Sequence, residues 1–156
     1  MTLDNPVFAT FAISAALMVI KLMGQGWITV YRMMKIRSGF ASPEDAKAGP
    51  FNPDPKPGQT DYNDYVDRSR RMHRNDIENI PAFLAIGLLF VFVAPPLILA
   101  QLLMYGFVVA RILHTLAYAT AQSHEVRSVP YTVGSLIVIY MAVHVLVVAI
   151  ATHGPL

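Results

Sequence analysis

Four long apolar stretches alternate with polar ones along this chain of 156 residues. The first runs from Val7 to Tyr31, broken only by Lys21 and Gln25. The other three cover 75–94, 97–120 and 129–152. Each is long enough to cross roughly 30 Å of hydrocarbon, which takes about 20 helical residues. The apolar positions occupy most faces instead of one stripe, as lipid contact demands. Between the first and second stretches, residues 38–61 are rich in Gly and Pro and read as a loop. Within it, Ser42-Pro-Glu-Asp45 has the signature of a short helical start: Ser as N-cap, Pro at the first helical position, acids in the first turn. The second helix is expected to begin between Asp61 and Asp64 and run to Val93, bent at Pro81 and stopped by Pro95-Pro96. The third should span Leu97 to Thr120. The fourth should start between Ser128 and Pro130 and end near Thr152. The expected architecture is all-α: one integral-membrane four-helix bundle over 1–156, up-down-up-down.

Composition agrees with a membrane protein. The chain is 54% hydrophobic and 14% charged, where soluble domains carry about a quarter charged residues. The N-terminus, Met1-Thr-Leu-Asp-Asn-Pro, lacks the basic region of a signal peptide, so the first stretch reads as a retained span. There is no cysteine, which excludes disulfides, thiolate metal sites and a cysteine nucleophile. Any thiol chemistry has to come from a bound small molecule.

Charge is concentrated. The net charge is +2, and nine of the 12 Lys and Arg lie from Arg32 to Arg74. Arg127 lies in the turn before the fourth span, while the termini and the 94–96 turn carry no basic residue. Basic residues near span ends mark the cytoplasmic side. The segment 32–74 is therefore expected in the cytoplasm and both termini in the lumen or periplasm.

Three polar stripes interrupt the apolar pattern. Arg71, Arg74, Asn75 and Glu78 share one helical face by their spacing. Arg111, His114, Thr115 and Tyr118 repeat that spacing, and so do Ser128, Tyr131, Thr132 and Ser135. Antiparallel connectivity brings all three to the same end of the bundle, where they can wall one polar pocket. Each stripe has a plainer reading alone: a salt-bridged surface face, interfacial aromatics, or hydrogen bonds between helices. Lys21 likewise reads as a snorkelling or bundle-facing lysine. Arg111 is harder to dismiss, because an arginine within an apolar span is a functional candidate by default. The guanidinium groups suit carboxylates and Glu78 suits an ammonium, so a ligand with two carboxylates and one amine fits. Zinc, dinucleotide and phosphate-loop signatures are missing, and His73 and Glu78 do not share a face as metal ligands would. No metal is expected.

The run Arg71-Met-His-Arg-Asn-Asp-Ile-Glu78 resembles the second-helix signature of the membrane-associated proteins in eicosanoid and glutathione metabolism, the MAPEG family. Phe40-Ala-Ser-Pro-Glu-Asp45 is similar to the family's loop motif, Arg111-Ile-Leu-His-Thr-Leu-Ala-Tyr118 to its third-helix run, and Arg127-Ser-Val-Pro-Tyr131 to the start of its fourth helix. The nearest branch is that of microsomal glutathione transferase and microsomal prostaglandin E synthase. The resemblance implies a homotrimer with glutathione bound between subunits. By position it implies glutathione contacts from Arg74, Asn75, Glu78, His114, Tyr118, Arg127, Ser128 and Tyr131, with Arg32 or a nearby basic residue reaching across from the neighbour; Arg71 is expected to help Arg74 and Glu78 hold the tripeptide. The family transferase carries a stress-sensing cysteine where this chain has Ala46, so activation by thiol modification is not expected. The Pro-rich stretch 49–60 also departs from the family pattern.

Free thiols ionise at roughly 8.5, and a guanidinium beside the sulfur lowers that value. The expected catalytic set is Arg127 for this role, Ser128 donating to the thiolate, and Asp45 orienting Arg127. The thiolate would conjugate a lipophilic electrophile or reduce a lipid hydroperoxide. The alternatives are a glutathione-dependent isomerase of the prostaglandin E synthase type, a non-enzymatic lipid-binding scaffold, and a small transporter built around Arg111. Four spans without an internal repeat argue against the last.

Overall fold

A computed structural model describes residues 2–154; Met1, Pro155 and Leu156, the ends of the expected domain 1–156, lie outside the described residues. Four helices follow one another: α1 (Pro6–Ile36), α2 (Asp64–Phe92), α3 (Leu97–Ala119) and α4 (His124–His153). All four are long and apolar enough to span a membrane. The Asn5 carboxamide caps α1 by accepting from the Val7 and Phe8 N–H groups at 2.9 and 3.1 Å, ahead of Pro6 at the first helical position. Asn63 caps α2 in the same way, accepting from Tyr65 and Val66. Helix α2 runs unbroken through Pro81.

Two expectations need correction. Helix α4 starts at His124, not between Ser128 and Pro130, and Pro130 lies inside it, buried against α3. A proline in the second turn removes only one intrahelical bond, so the polar turn His124–Arg127 joins the helix before its apolar part begins. The Ser42–Asp45 signal yields only a 3₁₀ turn, Pro43–Ala46, and the Ser42 hydroxyl caps nothing.

Helix α1 packs along α2 and α3, and α4 packs along the other side of the same pair. Among the described residues α1 and α4 do not meet. The centre is aromatic: Phe83 stacks on Phe107 with centroids 4.1 Å apart, and Phe11 tilts against Phe83 at 6.5 Å. Gly87 admits Phe11, since a methyl there would stand 2.9 Å from the Phe11 ring. The outer surface is apolar. The most apolar stretch of α4 has a mean hydropathy of 2.6 yet is only 11% buried, so its face is turned to lipid or to another subunit.

The loop between α1 and α2 is folded. The side-chain amides of Asn52 and Gln59 bond reciprocally at 2.8 and 3.2 Å, and both residues are buried. Phe40 N–H donates to the Gln59 carbonyl at 2.9 Å. Gly39, at φ 71°, carries the chain past Val66 and Asn63, where a Cβ would stand 3.1 to 3.2 Å from their side chains.

Candidate active site

The end of α3 and the first two turns of α4 converge on α2 around a polar cavity of ≈ 190 Å³. Its walls are Asn75 from α2, His114 and Tyr118 from α3, and His124, Arg127, Ser128 and Tyr131 from α4. The His114 ring lies between the two tyrosines, 5.0 Å from Tyr118 and 6.2 Å from Tyr131. The Arg127 guanidinium stacks over Tyr118 with its carbon 4.6 Å from the ring centroid, and its Nε donates to the Ser123 carbonyl at 3.3 Å. Ser128 Oγ donates to the Glu125 carbonyl at 2.8 Å. A cation, a hydroxyl one residue on, two phenols, two imidazoles and an amide therefore face a small space at one end of the bundle. Such a set can bind a carboxylate and stabilise a thiolate.

Six of the residues expected from sequence are brought together here: Asn75, His114, Tyr118, Arg127, Ser128 and Tyr131. The others lie elsewhere. Arg71 is held by Asp64 at 2.9 Å and by Asp67 and Tyr62, all near the start of α2. Arg74 and Glu78 are exposed on α2, Arg74 in a groove with Gly26 and Met33 of α1 and Ala41 of the loop. Arg32 donates to the Tyr65 carbonyl at 3.0 Å and stacks over the Tyr65 ring at 4.5 Å, tying α1 to α2. Asp45 lines an apolar cleft of ≈ 720 Å³ between the loop and the outer half of α1, together with Trp27, Met34 and Phe51. It makes no ion pair with Arg127 within the subunit.

Arg111 also departs from expectation. It does not line the cavity but lies fully buried in the bundle interior. Its Nη2 donates to Asp76 Oδ1 at 2.6 Å and to Asn75 Oδ1 at 2.6 Å. Asp76 Oδ2 accepts from Lys21 Nζ at 2.5 Å. Behind this ion triad, Gln25 donates to Ser69 Oγ at 2.8 Å, and Thr29 shares that hydroxyl.

Sequence reasoning missed His124 and Asp76. His124 stands three residues before Arg127 and would have joined the stripe had the helix been started one turn earlier. Asp76 was legible by charge matching, since two buried cations in apolar spans need an acid.

The model of the MAPEG family matches residues 10–147. The chain belongs to this family. The match runs over all four helices and takes in every cavity residue. The chain is 39% identical to microsomal glutathione S-transferase 1 of Homo sapiens over 145 residues, 92% of each chain. It is 33% identical to prostaglandin E synthase of Homo sapiens over 150 residues, 94% of this chain and 92% of that protein. As a MAPEG member with four membrane-spanning helices, it is a multi-pass membrane protein.

Proposed function

We propose that this protein is a membrane glutathione transferase that conjugates lipophilic electrophiles, or reduces lipid hydroperoxides, through a thiolate formed beside Arg127. The convergence of Arg127 and Ser128 with His114, Tyr118, Tyr131 and Asn75 in one cavity carries this reading. Similarity to a microsomal glutathione S-transferase supports glutathione as the thiol. The Arg127 cation lowers the pKa of that thiol, and the Ser128 hydroxyl turns from the Glu125 carbonyl to donate to the sulfur. In conjugation the sulfur forms a bond to carbon, the leaving group departs with its electron pair, and the thiol proton goes to solvent. In peroxide reduction two glutathiones supply the two electrons, giving an alcohol, water and glutathione disulfide.

A homotrimer completes the site. The cavity, at ≈ 190 Å³, is smaller than the roughly 300–1,000 Å³ of small-molecule sites, so a second wall is needed. Arg74 and Glu78 lie exposed on α2 next to Asn75, and exposed charges at a span's edge call for a partner surface. Arg32, Asp45 and the loop lie on the α1 side of the chain, which α4 does not reach. A rotational assembly that sets the α2–α4 side of one subunit against the α1 side of the next joins the two halves. Arg74 and Glu78 then hold the tripeptide's charged ends, and Asp45 approaches Arg127 from the neighbour. The basic segment 32–74 faces the cytoplasm, in the endoplasmic reticulum or a bacterial inner membrane.

Purified, detergent-solubilised protein given glutathione and a halonitrobenzene, a lipid hydroperoxide or an endoperoxide tests this reading. Conjugate or disulfide formation with loss of free thiol supports it, and absence of glutathione binding overturns it. The similarity to prostaglandin E synthase favours a second reading, an endoperoxide isomerase. Endoperoxide turnover without net glutathione consumption would select that branch.

A further inference from the structure

The Asn75 side chain is fixed from behind by another helix. Arg111 reaches it from α3, and a guanidinium has only donors. The atom that meets Arg111 Nη2 at 2.6 Å is therefore the Asn75 oxygen. What Asn75 offers to a ligand in the cavity is its amide N–H pair. Arg111 is held in turn by Asp76, whose second carboxylate oxygen is taken by Lys21 from α1. Lys21, Asp76 and Arg111 thus tie three helices together, with Asp76 and Arg111 fully buried. Arg111 makes both contacts through Nη2 alone, its buried Nε and Nη1 having no partner among the described residues, and in a dry interior that charge is costly unless it stays paired with Asp76.

We propose that Asp76 and Lys21 are positioning residues for the cavity, holding Arg111 so that Asn75 is locked as a hydrogen-bond donor to an acceptor oxygen of the bound thiol peptide, a carbonyl or carboxylate. This inference rests on the glutathione reading above. The chain of contacts runs Lys21, Asp76, Arg111, Asn75, and then ligand. The cation and hydroxyl that act on sulfur, Arg127 and Ser128, sit on α4 and are outside it. Disturbing the chain should weaken binding of the peptide and leave the chemical step alone.

The experiment measures glutathione binding by calorimetry, and kcat and KM for glutathione with a halonitrobenzene, on the solubilised full-length assembly. Asp76→Asn keeps the shape but removes the charge that holds Arg111. It should raise the glutathione KM at least tenfold with kcat within about twofold. Asn75→Asp keeps an oxygen for Arg111 but replaces the N–H pair with a second acceptor. It should weaken glutathione binding at least tenfold while thermal stability stays near that of the unaltered protein, which covers the case where Asp76→Asn fails to fold. Lys21→Met leaves the Arg111–Asp76 pair neutral and should shift KM by less than either. Unchanged glutathione affinity in Asn75→Asp overturns the inference, as does a fall in kcat without a change in KM in Asp76→Asn. If the unaltered protein binds no glutathione, the functional reading itself fails, and that result is distinct from both.

Discussion

Arg127 stacks on Tyr118 across the α3–α4 junction, with 4.6 Å between the guanidinium carbon and the ring centroid. No acid lies within ion-pair distance of Arg127 among the described residues. The aromatic face fixes the side chain without neutralising it, because a cation over a ring keeps its charge. The contrast with Arg71 is sharp, since Asp64 and Asp67 together neutralise that guanidinium. An arginine held by a ring is available to an incoming anion. One held by two carboxylates is already spent on structure.

Arg127→Ala should therefore impair the chemistry in a pH-dependent way. Losing a preorganised charge beside a reacting anion costs about 100-fold or more in rate. The guanidinium lowers the thiol pKa, so its removal lets that pKa rise back toward roughly 8.5. At pH 7 the variant should be slowest relative to the unaltered enzyme. As the pH rises through about 9 the free thiol ionises unaided, and the gap should narrow. A conjugation rate profile from pH 6.5 to 9.5 checks this, and a gap that stays constant over the range excludes thiol activation as the role of Arg127.

Ser128 makes a subtler prediction. Its proton is occupied by the Glu125 carbonyl one turn back, so donation to sulfur needs a rotamer change. A hydrogen bond to a charged group contributes about 1.5–3 kcal/mol, so Ser128→Ala should lower kcat by about tenfold or more. Ser128→Thr should fall between the two, because a helical threonine often bonds the carbonyl behind it. Pre-steady-state formation of the thiolate, followed by its ultraviolet absorbance, distinguishes the three proteins.

The spans were legible because an apolar run of about 20 residues has few other uses. The cavity was legible because the 3.6-residue period puts each stripe on one face and antiparallel connectivity sets three stripes at one level. What stayed hidden depended on rotation and partner choice. Arg71 and Arg74 are three residues apart and look equivalent along the chain. Yet Arg71 meets acids one and two turns earlier, and Arg74, in a groove beside α1, pairs with no acid among the described residues. Arg111 shares the stripe of His114 and Tyr118, but its longer side chain turns inward to Asp76. The start of α4 was hidden because Pro130 imitates a helix start while sitting in a second turn.

The two α2 arginines should consequently part company when mutated. Arg71→Ala removes a half-exposed ion-pair cluster, for which exposed pairs contribute about 0–1 kcal/mol each. It should lower thermal stability slightly and change the glutathione KM by less than about threefold. Arg74→Ala should leave stability alone and raise that KM about tenfold, the loss expected when a charge-assisted contact to a carboxylate disappears. Steady-state kinetics and thermal unfolding of the two variants side by side decide it, and the reverse pattern would move the peptide contact to Arg71.

Glycine substitutions probe the packing that holds the cavity helices in register. In a helix, Gly→Ala gains about 1 kcal/mol of propensity when there is room. At Gly87 there is none, because the new methyl would stand 2.9 Å from Phe11 Cε2 and 3.1 Å from Cδ2. Phe11 leans on Phe83, which is stacked on Phe107, so the ring cannot retreat without disturbing three helices. Overpacking of this kind costs about 1–3 kcal/mol, which outweighs the propensity gain. Gly87→Ala should therefore lower the thermal midpoint. At Gly24 a methyl meets nothing within 4 Å in the subunit, so Gly24→Ala should raise it by the propensity gain alone. A fall at Gly24 instead would show that a neighbouring subunit packs against that face of α1, and cross-linking at the adjacent exposed Met23 would then identify the contact.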